Sequence, residues 1–128
     1  MAFILDTNVA IHLRDGDPAI AARVAALTDA VLISIVTRVE LEGGVYREPA
    51  HAGLRRARLD VMLGAIPSLA FDDAAAAEYG KILARAGYSR RKLLDRMIAA
   101  QALVHRSTLV TLNPGDFADI GGLRVLAW

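Results

Sequence analysis

Phe3-Ile4-Leu5-Asp6-Thr7-Asn8 is the stretch on which the fold turns: three apolar residues in succession give way at once to a carboxylate and two further polar side chains. A strand without polar alternation is one covered on both faces, as in parallel α/β sheets, and such sheets carry their chemistry just beyond the strands' carboxyl ends. Asp6 stands at that address. Asn8 is the better placed cap for the short helix expected after it, which leaves Asp6 without a structural duty.

Outward from this strand, brief apolar runs bounded by turn residues predict further strands near 31–34, 68–71, 108–111 and 123–127, the first covering 2–5. Helices fill the gaps. Asp17-Pro18 gives a cap and a proline at the first helical position for a helix to about Leu27. Another begins at Thr37, with Pro49 restarting it as a following helix that ends before Pro67. Asp72 caps the Ala-rich segment 73–86, Gly87 stops it, and Ser89 opens a helix through about His105. Repeated β-α-β order with connections of this length implies a mainly parallel sheet between helical layers, joined by right-handed crossovers.

With 128 residues, 55% of them hydrophobic, and no internal repeat, the chain reads as one domain, 1–128, able to bury a core. It has no cysteine, which excludes disulfide staples and thiolate zinc sites and suits a reducing cytoplasm. The first ten residues have no basic run ahead of an apolar one, and no later run reaches membrane-spanning length. The expectation is a cytoplasmic protein with no membrane partner. A net charge of +1 neither demands nor forbids a polyanion, but Arg90, Arg91, Lys92 and Arg96 cluster where they could contact RNA phosphates or simply face solvent.

Carboxylates fall at matching places in this scheme. Asp6 follows the first strand, Glu40 and Asp95 lie in opening turns of helices, and Asp116 follows the fourth strand. In a parallel sheet with those strand ends adjacent, all would line one crevice. Packed carboxylates repel and raise one another's proton affinity unless a cation keeps them ionised, and hard oxygens suit Mg²⁺ or Mn²⁺. Such ions activate water for in-line displacement at a phosphodiester.

Structural duties compete for some of these acids. Thr37-Arg38-Val39-Glu40 matches a capping box, which explains Glu40 as well as metal chemistry does. Asp95 is favoured by the helix dipole, yet it shares a helical face with Ala99 and Ala102 in an almost wholly apolar run, where a carboxylate needs a partner or an ion. Asn113-Pro114-Gly115-Asp116 has the composition of a tight turn. Thr7, Asn8, Thr111 and Asn113 are candidates to support the site by hydrogen bonding to a carboxylate or a metal-bound water. His12, His51 and His105 show no ligand spacing.

Four ordered segments carry a resemblance: Phe3-Ile4-Leu5-Asp6-Thr7-Asn8; Ser34-Ile35-Val36-Thr37-Arg38-Val39-Glu40-Leu41 with Gly43-Gly44; Asp95-Arg96-Met97-Ile98-Ala99-Ala100-Gln101-Ala102; and Val110-Thr111-Leu112-Asn113-Pro114-Gly115-Asp116-Phe117. In order and spacing the whole chain resembles a PIN-domain ribonuclease, and within that family a VapC-type toxin of a toxin-antitoxin pair. The resemblance implies a five-stranded parallel sheet in the order 3-2-1-4-5 and places the acidic cluster on Asp6, Glu40, Asp95 and Asp116. It also implies Mg²⁺- or Mn²⁺-dependent cleavage of single-stranded RNA, homodimerisation and inhibition by a cognate antitoxin. Asp6 and Asp95 would hold the principal ion, with Glu40 and Asp116 acting directly or through water. Many members carry an acid where this chain has Asn113, so the fourth acidic role here falls to Asp116 alone.

Apolar positions on the helices at 18–27 and 37–63, among them Ile20, Val24, Leu41, Val45, Leu54 and Met62, serve either the core or a groove for an antitoxin helix. The helix at 74–86 and the one bearing Asp95 are candidates for a dimer face. Two rival classes stand beside the nuclease. A catalytically silent PIN-like module would keep the fold for RNA or protein contacts. A phosphatase of the haloacid-dehalogenase type would want a second aspartate where this chain has Asn8.

Overall fold

The computed structural model describes residues 1–128. Its centre is β1 (Phe3–Leu5), whose Ile4 and Leu5 are both fully buried but belong to different halves of the core. Alternate side chains of a strand point to opposite faces, so two successive apolar residues need cover on both sides. That cover comes from helices. Leu5 packs with Val9, Ile20, Leu41, Leu59 and Met62 on one face, and Ile4 with Ile82, Ile98, Leu109 and Phe117 on the other.

The elements follow in the order β1, α1 (Thr7–Arg14), α2 (Pro18–Ala25), β2 (Val31–Ser34), α3 (Ile35–Tyr46), α4 (Ala52–Ala65), β3 (Ser68–Leu69), α5 (Asp73–Ala86), α6 (Leu93–Val104), β4 (Thr108–Thr111) and β5 (Arg124–Ala127). Short 3₁₀ turns at Pro49–His51 and Pro114–Phe117 complete the chain. All strand pairs are parallel, in the order β3-β2-β1-β4-β5, as the resemblance implied. Phe3 lies opposite Val31 on one side and Thr108 on the other, which brings the carboxyl ends of β1, β2 and β4 to one edge.

Two expected caps hold. The Asp17 carboxylate accepts from the amides of Ala19 and Ile20, and Asp72 accepts from Ala75. Gly87, at φ 84°, ends α5 in a conformation that a side chain disfavours.

Elsewhere the structure corrects the sequence reading. Asp6, not Asn8, caps α1 and accepts from the Thr7 amide, because the sheet continues one residue past β1: the Asp6 amide donates to the Val110 carbonyl. Helix α3 begins at Ile35, directly from β2, with the Ser34 hydroxyl accepting from the Val36 amide at 3.0 Å. Thr37 is therefore inside the helix, and the expected capping box does not form. Helix α6 starts at Leu93; Ser89 accepts from the Lys92 amide in a turn ahead of it. The third strand is shorter than expected, Ser68–Leu69.

Candidate active site

Asp6 is 4% exposed, and burial pushes its pKa up, with a smaller upward push from the Asp116 charge. Opposing this, Thr111 Oγ1 donates to Oδ2 and the Thr7 amide donates to Oδ1, each at 2.8 Å. Thr111 Oγ1 in turn accepts from the Asn113 amide at 3.0 Å. A carboxylate has about four lone-pair sites, so both oxygens retain acceptor capacity toward the crevice.

Glu40 is reached from the same short helix. Thr7 Oγ1 donates to Glu40 Oε1 at 2.8 Å and stands 2.9 Å from Thr37 Oγ1. Because the Thr7 hydroxyl has one proton and gives it to an acceptor-only carboxylate, Thr37 is the donor of the second bond. The two acids are thereby tied through Thr7: its amide holds Asp6, its hydroxyl holds Glu40. Thr37 is a supporting residue that sequence reasoning assigned to a helix cap. Its spacing, one turn before Glu40 on the same face, was the available signal.

Asp95 sits half-buried in the first turn of α6. Its pKa is pushed up to about 6, first by burial and then by the charges of Asp6, Asp116 and Glu40, with Lys92 opposing. All four sequence-predicted acids therefore share one electrostatic field. Asp116 is exposed on the 3₁₀ turn at Pro114–Phe117, where its amide donates to the Asn113 carbonyl at 3.1 Å, the expected Pro-Gly turn.

No three of the side chains able to ligate a metal stand close enough to chelate one ion together. The donor set fits a cation held by one or two carboxylates with water completing its shell, the usual arrangement for Mg²⁺. The Asp95 carboxylate, raised in proton affinity by burial and then by the charges of Asp6, Asp116 and Glu40, is suited to such an ion.

Other predicted residues lie elsewhere. Asn8 is exposed and its side chain makes no hydrogen bond. Asn113 contributes its backbone amide, not its side chain. Arg96 is 2% exposed; its guanidinium donates to the Gly87 carbonyl and to Asp119 Oδ2, which takes it out of reach of RNA. A charge inside an apolar helix is retained by these two anchors, which fix the start of α6 and hence Asp95. Lys92 also pairs with Asp119, at 3.3 Å, whereas Arg90 and Arg91 are exposed.

Of the apolar positions considered for a groove, Ile20, Leu41 and Val45 are core and Leu54 is exposed. Val24 and Met62 do line a trough of about 600 Å³ between α1, α2 and α4, together with Leu13, Ala57, Val61 and Ile66.

The fold is a β3-β2-β1-β4-β5 parallel sheet with acids gathered near the ends of its central strands; the PIN domain family model matches residues 3–123, and the chain belongs to that family. Within it the chain is of the VapC type. It is 33% identical over 131 residues to the tRNA(fMet)-specific endonuclease VapC of Shigella flexneri, the match spanning 100% of this chain and 98% of that protein. DNA-bound VapBC from Salmonella typhimurium has a chain of the same fold, with a TM-score of 0.86 and 30% identity over 100% of this chain and 98% of that one. VapBC2 from Rickettsia felis, bound to a promoter DNA fragment, shares the fold at a TM-score of 0.87 and 24% identity, over 100% of this chain and 99% of that one. No helix is long and apolar enough to cross a membrane.

Proposed function

We propose that the chain is a toxin-type endoribonuclease that hydrolyses single-stranded RNA with Mg²⁺ or Mn²⁺ and is held in check by a cognate antitoxin. The observation that carries the reading is that Asp95, pushed up to about 6 first by burial and then by the charges of Asp6, Asp116 and Glu40, shares one field with those acids. Acids placed so that they destabilise one another's charge are suited to a cation. The likeness to VapC endonucleases supports the nuclease class.

In this mechanism Asp6 and Asp95 would hold the ion, and Glu40 and Asp116 would act on it directly or through water. The chemistry supplied by such an ion is a lowered pKa for attacking water and neutralisation of charge on the phosphoryl oxygens. Thr7 and Thr111 fix the Asp6 and Glu40 carboxylates, so their lone pairs meet the reacting group without reorganisation. Water oxygen adds to phosphorus, the bond to the leaving ribose oxygen breaks, and the attacking water's proton passes to a carboxylate or to solvent.

The trough between α1, α2 and α4 is assigned to an amphipathic antitoxin helix, whose apolar face would cover Val24, Val61 and Met62. The solved VapBC relatives support an antitoxin partner. Exposed Tyr88, Leu93 and Leu94, between α5 and the first turn of α6, are assigned to a homodimer contact.

Cleavage of a panel of single-stranded RNAs with Mn²⁺, repeated with Asp6→Asn and Asp95→Asn, tests the catalytic reading. Metal-dependent cleavage lost in both variants is expected. RNA binding without cleavage by the unmutated chain would establish the silent module instead, and turnover of phosphomonoesters would favour a phosphatase.

A further inference from the structure

A second cavity, of about 420 Å³, is lined by residues of α1, α3 and the start of α4 and includes Glu40 of the acidic cluster. Thr7 and Glu40 line it beside Arg14, Arg47 and Arg55, with Asp15 and Glu48, and Ile11 is its one hydrophobic wall residue. Its size falls within the range of small-molecule pockets, and its lining is too polar to serve an apolar helix.

The charges are only partly spoken for. Arg14 has 4% of its side chain exposed and pairs with Asp15 through Nη2 and Nε, at 3.0 and 3.1 Å. Its Nη1 makes no hydrogen bond within the chain and lies over Gly44, where a Cβ would stand 3.1 Å away. Arg55 is anchored on the Gly44 carbonyl at 3.0 Å and on Glu48 at 3.2 Å. Arg47 is exposed and has no acidic partner. With Asp15 and Glu48 each matched to an arginine, one guanidinium and the free edge of another remain beside the acids. An acidic cluster alone repels a polyanion, whereas guanidinium N–H groups recognise phosphate oxygens directly.

We propose that this cavity is the subsite for the nucleotide adjoining the scissile phosphate of an RNA chain, with its own phosphate on Arg47 and Arg14 Nη1. The inference rests on the nuclease reading above. RNA is favoured over an acidic protein segment because Thr7 and Glu40 belong to the cavity and the acidic cluster alike, so its occupant continues directly into the reacting group.

The test compares the unmutated chain with Arg47→Ala and Gly44→Ala, and with Arg85→Ala on α5 across the sheet as the control. Steady-state cleavage with Mn²⁺ gives KM and kcat, and binding of a short labelled RNA without metal gives affinity against salt. Arg47→Ala should weaken binding and raise KM about tenfold, hold kcat within about twofold, and flatten the slope of log affinity on log salt by about 0.7. Gly44→Ala, which presses on Arg14 Nη1, should raise KM in the same sense, and Arg85→Ala should alter neither. Unchanged binding and salt slope in Arg47→Ala would overturn the subsite, as would a variant that loses only inhibition by an antitoxin. Absence of cleavage by the unmutated chain, with RNA binding still weakened by Arg47→Ala, would overturn the nuclease reading and leave the cavity as an RNA phosphate-binding site with no scissile phosphate beside it.

Discussion

At the residue scale, Asp95 carries the conflict between folding and function. Its folded pKa of about 6 exceeds the ordinary value of 3.8, so the folded chain binds protons more tightly than the unfolded one. Without metal, the stability contributed by Asp95 is fully present below the unfolded value and is lost as pH rises through about 6. Lowering the pH from 7 to 5 should therefore raise the Tm of the metal-free protein, and Asp95→Asn should raise it at pH 7. Because Asp95 is only half-buried, solvent screening limits the gain to roughly 1 kcal/mol, or about 4 °C. The same variant should have no cleavage activity. Scanning calorimetry with and without EDTA checks both signs, since bound metal should stabilise the unmutated protein and not the variant. Thr111→Val tests the other firm acid. Loss of its bond to Asp6 Oδ2 should destabilise the fold by about 1–2 kcal/mol. It should also push the Asp6 pKa further up, moving the acid limb of the pH–rate profile to higher pH.

At the element scale, the start of α3 decides what Glu40 does. The motif Thr37-x-x-Glu40 has the composition of a capping box, but the helix begins at the end of β2 and Ser34 supplies the cap. Pairing of Ile33 with Leu5 fixes where β2 ends, a long-range constraint that local sequence does not contain. Ser34→Ala should accordingly lower stability by about 1 kcal/mol. Glu40→Gln should leave stability nearly unchanged while reducing cleavage, where a capping-box glutamate would have made the two variants similar. Urea denaturation of both distinguishes these outcomes. Asp6 follows the same logic with the opposite result. It is both cap and site residue, because its carboxylate spends one oxygen on the Thr7 amide and keeps lone pairs for the crevice.

At the scale of the whole molecule, one helical layer, α1 to α4, carries two cavities of opposite character. The acids and the basic-walled cavity lie at the carboxyl edge, and the apolar trough lies between α1, α2 and α4. Val61 is 76% exposed within that trough, so Val61→Lys should leave the fold intact. It should nevertheless abolish antitoxin capture, because a helix docking there would have to desolvate the ammonium. Co-purification with an antitoxin, alongside RNA cleavage by the free variant, checks this; retained cleavage with lost inhibition is the expected pair of results.

The sequence by itself determined the parallel α/β architecture, since Phe3-Ile4-Leu5 has no polar alternation and the first three strands are each followed by a segment with helical punctuation. It also marked Asp6, Asp95 and Asp116 by their places at a strand end or in a first helical turn, and Glu40 by an expected helix start that the structure moves to Ile35. Only the tertiary structure decided what holds these acids. The Thr7 bridge joins residues 33 positions apart, and the Thr111 bond to Asp6 joins residues 105 apart. Arg96 shows the same limit: its place in the chain reads as a basic patch, and its burial against Gly87 and Asp119 follows from how α6 packs. Periodicity encodes which face of an element is apolar; which polar groups meet across elements is set by register and packing, and these exist only once the sheet has formed.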